Sequence, residues 1–290
     1  MKLSVQVFAL TAACLVGRHG GARDASEDLR VPATARAVAH AVTWTTLRPG
    51  VELGEVALSA PNEGRRTRVI LLRYDPSDVR LDLVTRIRAD YRGGDWTIAH
   101  ASMDAIAAFN AGQFTGIAPW GWSVVNGRER RAPGTGPLSM AVVEDSSGQL
   151  HFVPADSIAA MRARAGIRSA LQSYPMLLDE DGRIPEPITT PGLGVDVPHR
   201  DARLALAQLN DGRILVLFTR FGALGEAGAA IPFGITLHET ASLLQALGAR
   251  RAVALDGGIS AQMLVRDGAG ATRSWPGWRR VPVGIELHHR

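Results

Sequence analysis

The chain has 290 residues, 46% hydrophobic and 21% charged, which supplies a sizeable core and excludes intrinsic disorder as its default state. Its 32 basic and 28 acidic residues give a formal charge of only +4. The arginines are scattered and gather no further than pairs such as Arg65-Arg66, Arg130-Arg131 and Arg279-Arg280, so no nucleic-acid partner is expected.

The chain begins with Lys2 and an apolar stretch from Leu3 to Val16. That is a short secretory pattern, below the ~20 apolar residues a spanning helix needs. Residues 1–17 are therefore expected to be a signal peptide, and the protein periplasmic or secreted. Cys14, the only cysteine, follows Thr11-Ala12-Ala13 and is a candidate for a lipid anchor, although Thr11 stands where a lipoprotein signal usually carries Leu. Removal of the signal would leave a mature chain without thiol or disulfide chemistry. Residues 18–42 are small, charged and poor in large apolar groups, and read as a flexible tether; residues 43–290 read as the globular domain.

Within that domain, "TRVILLRYDP" and "VRLDLVTRI" predict two strands separated by a turn at Asp75-Pro76-Ser77-Asp78, and Pro and Asp supply the turn chemistry. A helix candidate precedes the next strands, at 97–105. Strand signals return in "LSMAVVED", "LHFVPA", "RLALAQL" and "RILVLFTRF", with the turns "DSSGQ" and "NDGR" between them. A short helix is expected over 157–166, with Asp156 as its cap. Long loops are expected at 131–137 and 185–198. The clearest helix begins at Thr236: Thr236 and Glu239 have capping-box spacing, Leu237, Leu243, Leu244 and Leu247 form a stripe, and Gly248 terminates it. Strands outnumber helices, which predicts an α+β fold: a mixed β-sheet core with a few packed helices in a single domain.

Two strand ends look alike. "AIAAFNAGQF" and "AVALDGG" each run through small apolar residues to Asn110 or Asp256 and then turn at glycine. Uninterrupted apolar runs suggest strands buried on both faces, whose ends are rigid mounts, while glycine lets backbone approach a ligand. An amide and a carboxylate on such mounts suit orienting a sugar and moving a proton. Ordinary tight turns would look the same at either place, and the residues alone leave both readings open.

"FNAGQF", "PWGWSVVNGRE", "ARLALAQLNDGRILVLF", "FGITLHETASLLQALGA" and "AVALDGGISA" follow the order and approximate spacing of the phosphodiester glycosidases, a family this chain resembles over roughly residues 65–288. The resemblance implies hydrolysis of a sugar from a phosphodiester, giving free sugar and a phosphomonoester; no cofactor is expected and no residue is assigned to a metal, while assistance by a divalent ion stays open. It makes Asp256, Asn110 and Glu239 the candidate catalytic residues. It makes Arg203, Gly112, Gly257, Gly258 and Ser260 the candidate substrate-binding residues, with Arg203 as phosphate anchor because a guanidinium binds phosphate oxygens bidentately. The substrate expected is a glycosyl phosphate or cell-envelope glycan. The chain departs from the family at Phe221-Gly222, where Asp-Gly is common, at Ile259 in place of a third glycine, and at Leu204 in place of threonine. These departures keep a second function in view, a non-catalytic glycan- or polysaccharide-binding protein in which Trp96, Trp120, Trp122, Trp275 or Trp278 stacks on sugar rings. No His-x-His, His-Glu-x-x-His or Gly-x-Ser-x-Gly pattern occurs, so metal-dependent and serine hydrolysis have no sequence support.

Overall fold

The computed structural model describes residues 29–60, 65–222 and 231–290; the expected signal peptide and Cys14 lie outside them. Three antiparallel sheets carry the architecture. The largest has seven strands, in the order Thr43–Arg48, Val51–Ala60, Arg65–Tyr74, Ile214–Phe221, Leu204–Leu209, Ala249–Ala254 and Met176–Leu178. A second sheet is built around Met140–Asp145 and Ile167–Ser173, and a third around Ala107–Asn110 between Met263–Arg266 and Val283–His289. The α+β class is as expected, and every ladder between named strands is antiparallel.

Period-2 alternation explains why the centre of the large sheet is apolar on both faces. Leu204, Leu206, Val216, Phe218 and Val253 face the second and third sheets in one core. Ala205, Ala207, Leu215, Leu217, Ala252 and Ala254 face the helices on the other side. Alanine on that face lets the helix Leu237–Ala246 lie close, burying Leu243 and Leu244. That helix starts as the sequence predicts. The Thr236 hydroxyl accepts the Glu239 N–H at 3.1 Å, and the Glu239 carboxylate accepts the Thr236 N–H at 2.7 Å. Gly248 ends it with φ +85°.

The turn after Tyr74 does more than reverse the chain. Asp75 Oδ1 accepts the N–H and hydroxyl of Ser77, at 2.8 and 2.7 Å. The next strand, Val79–Thr85, pairs with Val283–His289 in the third sheet rather than with Arg65–Tyr74.

Three local expectations need correction. Residues 97–105 form only a 3-10 turn, Ile98–His100, because Ser102 turns its N–H and hydroxyl to the buried Glu286 carboxylate instead of continuing a helix. The helix expected over 157–166 is the five-residue Ile158–Arg162, and Asp156 lies in a preceding 3-10 turn without capping it. The described end of the expected tether is folded: Pro32–His40 is a helix with proline in its first turn, and it buries Thr34, Ala35 and Val38. Its small apolar residues recur at helical spacing and cover the Leu237–Ala246 helix. No helix among the described residues is long and apolar enough to cross a membrane.

If Pro32–His40 is part of the domain, Val38→Ala should cost ~1–2 kcal/mol of stability. In a chain of this size that lowers the thermal midpoint by about 3–6 °C. An unchanged midpoint would return the segment to tether status.

Candidate active site

The site begins where the large sheet and the third sheet meet. Asn110, the last residue of Ala107–Asn110, is fully buried. Its Nδ2 donates to the carbonyl of Asp256 at 2.7 Å and to that of Ala111 at 3.2 Å, while its Oδ1 accepts the Gln262 N–H at 2.9 Å. The Asp256 N–H donates to the Ala111 carbonyl at 3.1 Å. The two similar strand ends therefore do meet, and they meet by clipping to each other. On its other flank the segment is fastened to the strand that begins at Leu204: Leu255 N–H donates to Leu204 O and Gly258 N–H to Ala202 O, both at 2.8 Å.

Glycine makes this junction tight. A Cβ at Gly257 would lie 2.5 Å from the Ala202 carbonyl, and Gly258 adopts φ +57° with the Asp201 carboxylate only 2.7 Å from where its Cβ would be. A Cβ at Gly112 would meet Ser173 Oγ at 2.7 Å. Of these three, Gly257 lines the adjoining cleft; Gly112 and Gly258 serve packing.

That cleft, of about 250 Å³, is bordered by Gln113, Tyr174, Asp201, Arg203, Asp256 and Gly257 over an apolar floor that includes Leu204 and Leu237. Arg203 anchors itself with Nε on the Ile235 carbonyl at 2.8 Å and Nη2 on the His199 carbonyl. Among the described residues its Nη1 has no hydrogen-bond partner and no carboxylate forms an ion pair with it. Burial lowers its pKa against the charges of Asp201 and Glu239. Asp256 is the complementary case. Burial raises its carboxyl above the usual aspartate range, opposed by a hydrogen bond from Ser260 and the charge of Arg279 and assisted by the charge of Asp201. Among the described residues its Oδ2 is buried without a hydrogen-bond partner, which carries a desolvation cost.

The remaining candidates separate clearly. Glu239 spends its carboxylate on the helix cap and on a two-pronged pair with Arg200, at 2.7 and 2.9 Å, and it does not line the cleft. Trp96, Trp122 and Trp275 are core residues. Trp120 packs against the cleft residue Tyr174, ring centres 6.1 Å apart, without lining the cleft itself, whereas Trp278 is exposed. Phe221 stacks edge-on against Phe233. Ile259 is exposed, and its carbonyl accepts the N–H groups of Trp278 and Arg279. Sequence reasoning missed Asp201, Gln113 and Tyr174. The only local signal for Asp201 was its place two residues before Arg203. Among the described residues no three His, Cys, Asp or Glu side chains converge to hold a metal ion.

A family model described as phosphodiester glycosidase matches residues 103–288. No protein with a curated description matches the chain in sequence. The catalytic domain of zebrafish N-acetylglucosamine-1-phosphodiester alpha-N-acetylglucosaminidase, solved auto-inhibited by its pro-peptide, superposes with a TM-score of 0.64 at 17% identity, over 86% of this chain and 88% of that one. A hypothetical protein from Synechocystis superposes with a TM-score of 0.52 at 17% identity, over 86% of this chain. The chain spans 64% of that protein's length. At this identity the two likenesses bear on the fold.

Two substitutions test the junction. Asn110→Ala leaves the Asp256 carbonyl and the Gln262 N–H buried without their partner and should cost about 2–4 kcal/mol in denaturant unfolding. Asp256→Asn should act in the opposite direction. A carboxyl whose folded pKa is raised binds its proton more tightly when folded, so its stability contribution is complete below ~3.8 and is lost as pH rises through the folded value. Asp256→Asn should therefore be more stable than wild type at neutral pH, with the advantage fading in acid. Equal stability across that range would mean Asp256 carries no desolvation penalty.

Proposed function

The chain belongs to the phosphodiester glycosidase family, and from that premise we propose that its cleft hydrolyses a glycosyl phosphodiester to a free sugar and a phosphomonoester. The observation that carries this reading is a guanidinium without a carboxylate partner, Arg203, lining the same cleft as the desolvated carboxyl of Asp256. Arg203 holds the phosphodiester anion, for which its free Nη1 is the available donor.

Asp256 is the proton-transfer group. Burial favours its protonated form, suited to delivering a proton to the phosphate oxygen as the bond to the anomeric carbon breaks. Phosphate is a better leaving group than a sugar hydroxyl, so moderate acid assistance suffices and stabilising the oxocarbenium-like transition state carries more of the barrier. Ser260 orients Asp256, and Asn110 fixes its backbone. Glu239 acts at a distance, by capping the helix whose Leu237 and Thr240 border the cleft. The sugar lies against Tyr174 with Trp120 behind it. A periplasmic or secreted setting, with a cell-envelope glycosyl phosphate as substrate, belongs to the same proposal.

A carboxyl raised by burial in the same cleft as a guanidinium suits proton transfer, which favours the catalytic reading over the binding one. The test is turnover of a panel of sugar-1-phosphate diesters by the purified protein, with free sugar and phosphomonoester as products. Arg203→Met should lower kcat/KM by about 10–100-fold, the worth of one or two charge-assisted hydrogen bonds. Sugar binding without release from any diester would favour the binding protein.

A further inference from the structure

We propose that Asp201 is the second carboxylate of the reaction centre, the group that takes a proton from the attacking water. This rests on the phosphodiester hydrolysis proposed above and assigns a role to a residue that the sequence did not single out.

Asp201 borders the cleft together with Arg203 and Asp256, and its position relative to Asp256 is fixed by backbone. Its main chain bridges to Ile235, and the Gly258 N–H, two residues beyond Asp256, donates to the carbonyl of the neighbouring Ala202 at 2.8 Å. The left-handed Gly258 leaves the space that the Asp201 carboxylate occupies, since a Cβ there would lie 2.7 Å from Oδ2. Oδ1 accepts the Ala202 N–H at 2.9 Å. Oδ2 has only the exposed His199, with Nε2 at 3.4 Å.

That sparse pairing sets Asp201 apart from buried carboxylates elsewhere. Glu144 is held by Arg168 and Arg290, Glu239 by Arg200, and Glu286 by Ser102 with His288 at 3.3 Å. Among the described residues, no arginine forms an ion pair with Asp201 or Asp256. Asp201 and Asp256 border one cleft without such a pair, and their turns interlock. Two such groups with one guanidinium supply a base, an acid and an anion anchor.

The step balances without another reactant. As the water oxygen bonds to the anomeric carbon, its proton passes to the Asp201 carboxylate. The bond from that carbon to the phosphate oxygen breaks, and its electron pair stays on oxygen, which receives the proton carried by Asp256. Proton exchange with solvent restores both groups.

The experiment uses the diester that wild type hydrolyses best. Asp201→Ala should lower kcat at least ~100-fold, the lower end of one acid–base group's contribution, with KM changed less than ~3-fold. Azide, a small anionic nucleophile that needs no base, should restore turnover to Asp201→Ala and yield glycosyl azide. Asp201→Asn, which keeps an acceptor for Ala202, should lose kcat equally while retaining the wild-type thermal midpoint. A kcat within ~10-fold of wild type in either variant would overturn the assignment, as would a loss in Asp201→Ala that azide does not rescue. Activity in wild type with either result leaves the glycosidase reading intact; inactivity of wild type on every diester would remove that reading and this one together.

Discussion

One buried side-chain amide, that of Asn110, holds the working end of the molecule together. Its donors hold the Asp256 and Ala111 carbonyls and its acceptor holds the Gln262 N–H, which joins the end of a third-sheet strand to the segment leaving the large sheet. Because every donor and acceptor is spent on backbone in a fully buried place, the junction is satisfied and directional. Asp256, Gly257 and Gly258 follow from it. Once their backbone is clipped between Ala111 and Ala202, the Asp256 side chain lines the cleft on a support that has little freedom to relax.

Electrostatics then separates the cleft from the scaffold. In the scaffold, arginines neutralise carboxylates in networks such as Arg168 with Asp82 and Glu144. Hydrogen bonds and charge from Arg168 and Arg80 outweigh burial and hold Asp82 below the usual carboxylate range. Even the buried Arg220, whose pKa burial lowers to about 10, has carbonyl partners at Trp275 and Pro276. The cleft keeps its opposite charges apart: Arg203 is tied to carbonyls rather than to Asp201 or Asp256. Ion pairs would stabilise the fold there; separation costs stability and leaves the guanidinium unpaired, as the proposed hydrolysis requires.

Much of this was legible in the sequence because the governing signals are local. Apolar runs at strand period gave the strands, the Thr236–Glu239 spacing gave the capping box, and Gly248 gave the helix end. The likeness between "AFNAG" and "ALDGG" pointed to two strand ends sharing one place. The errors arose where distant partners decide. Ser102 ends the expected 97–105 helix by bonding Glu286, 184 positions away. Glu239 entered the candidate set by matching a motif, with its capping role legible beside it, and the fold adds Arg200, which closes around its carboxylate. The folded end of the expected tether was missed because small residues carry weak hydrophobic contrast, although Ala35 and Val38 suffice once a partner helix is present. Asp201 was invisible because "HRDAR" has no periodicity, and its meaning comes from Gly258, which lies far along the chain.

In the proposed hydrolysis the bond that breaks lies between an anomeric carbon and a phosphate oxygen. Hydrolysis of an active sugar-1-phosphate diester in 18O-labelled water, followed by mass measurement of both products, tests it most directly. Cleavage at carbon puts label in the anomeric hydroxyl of the released sugar and none in the phosphomonoester. Label in the phosphate would mean attack at phosphorus, and would contradict it.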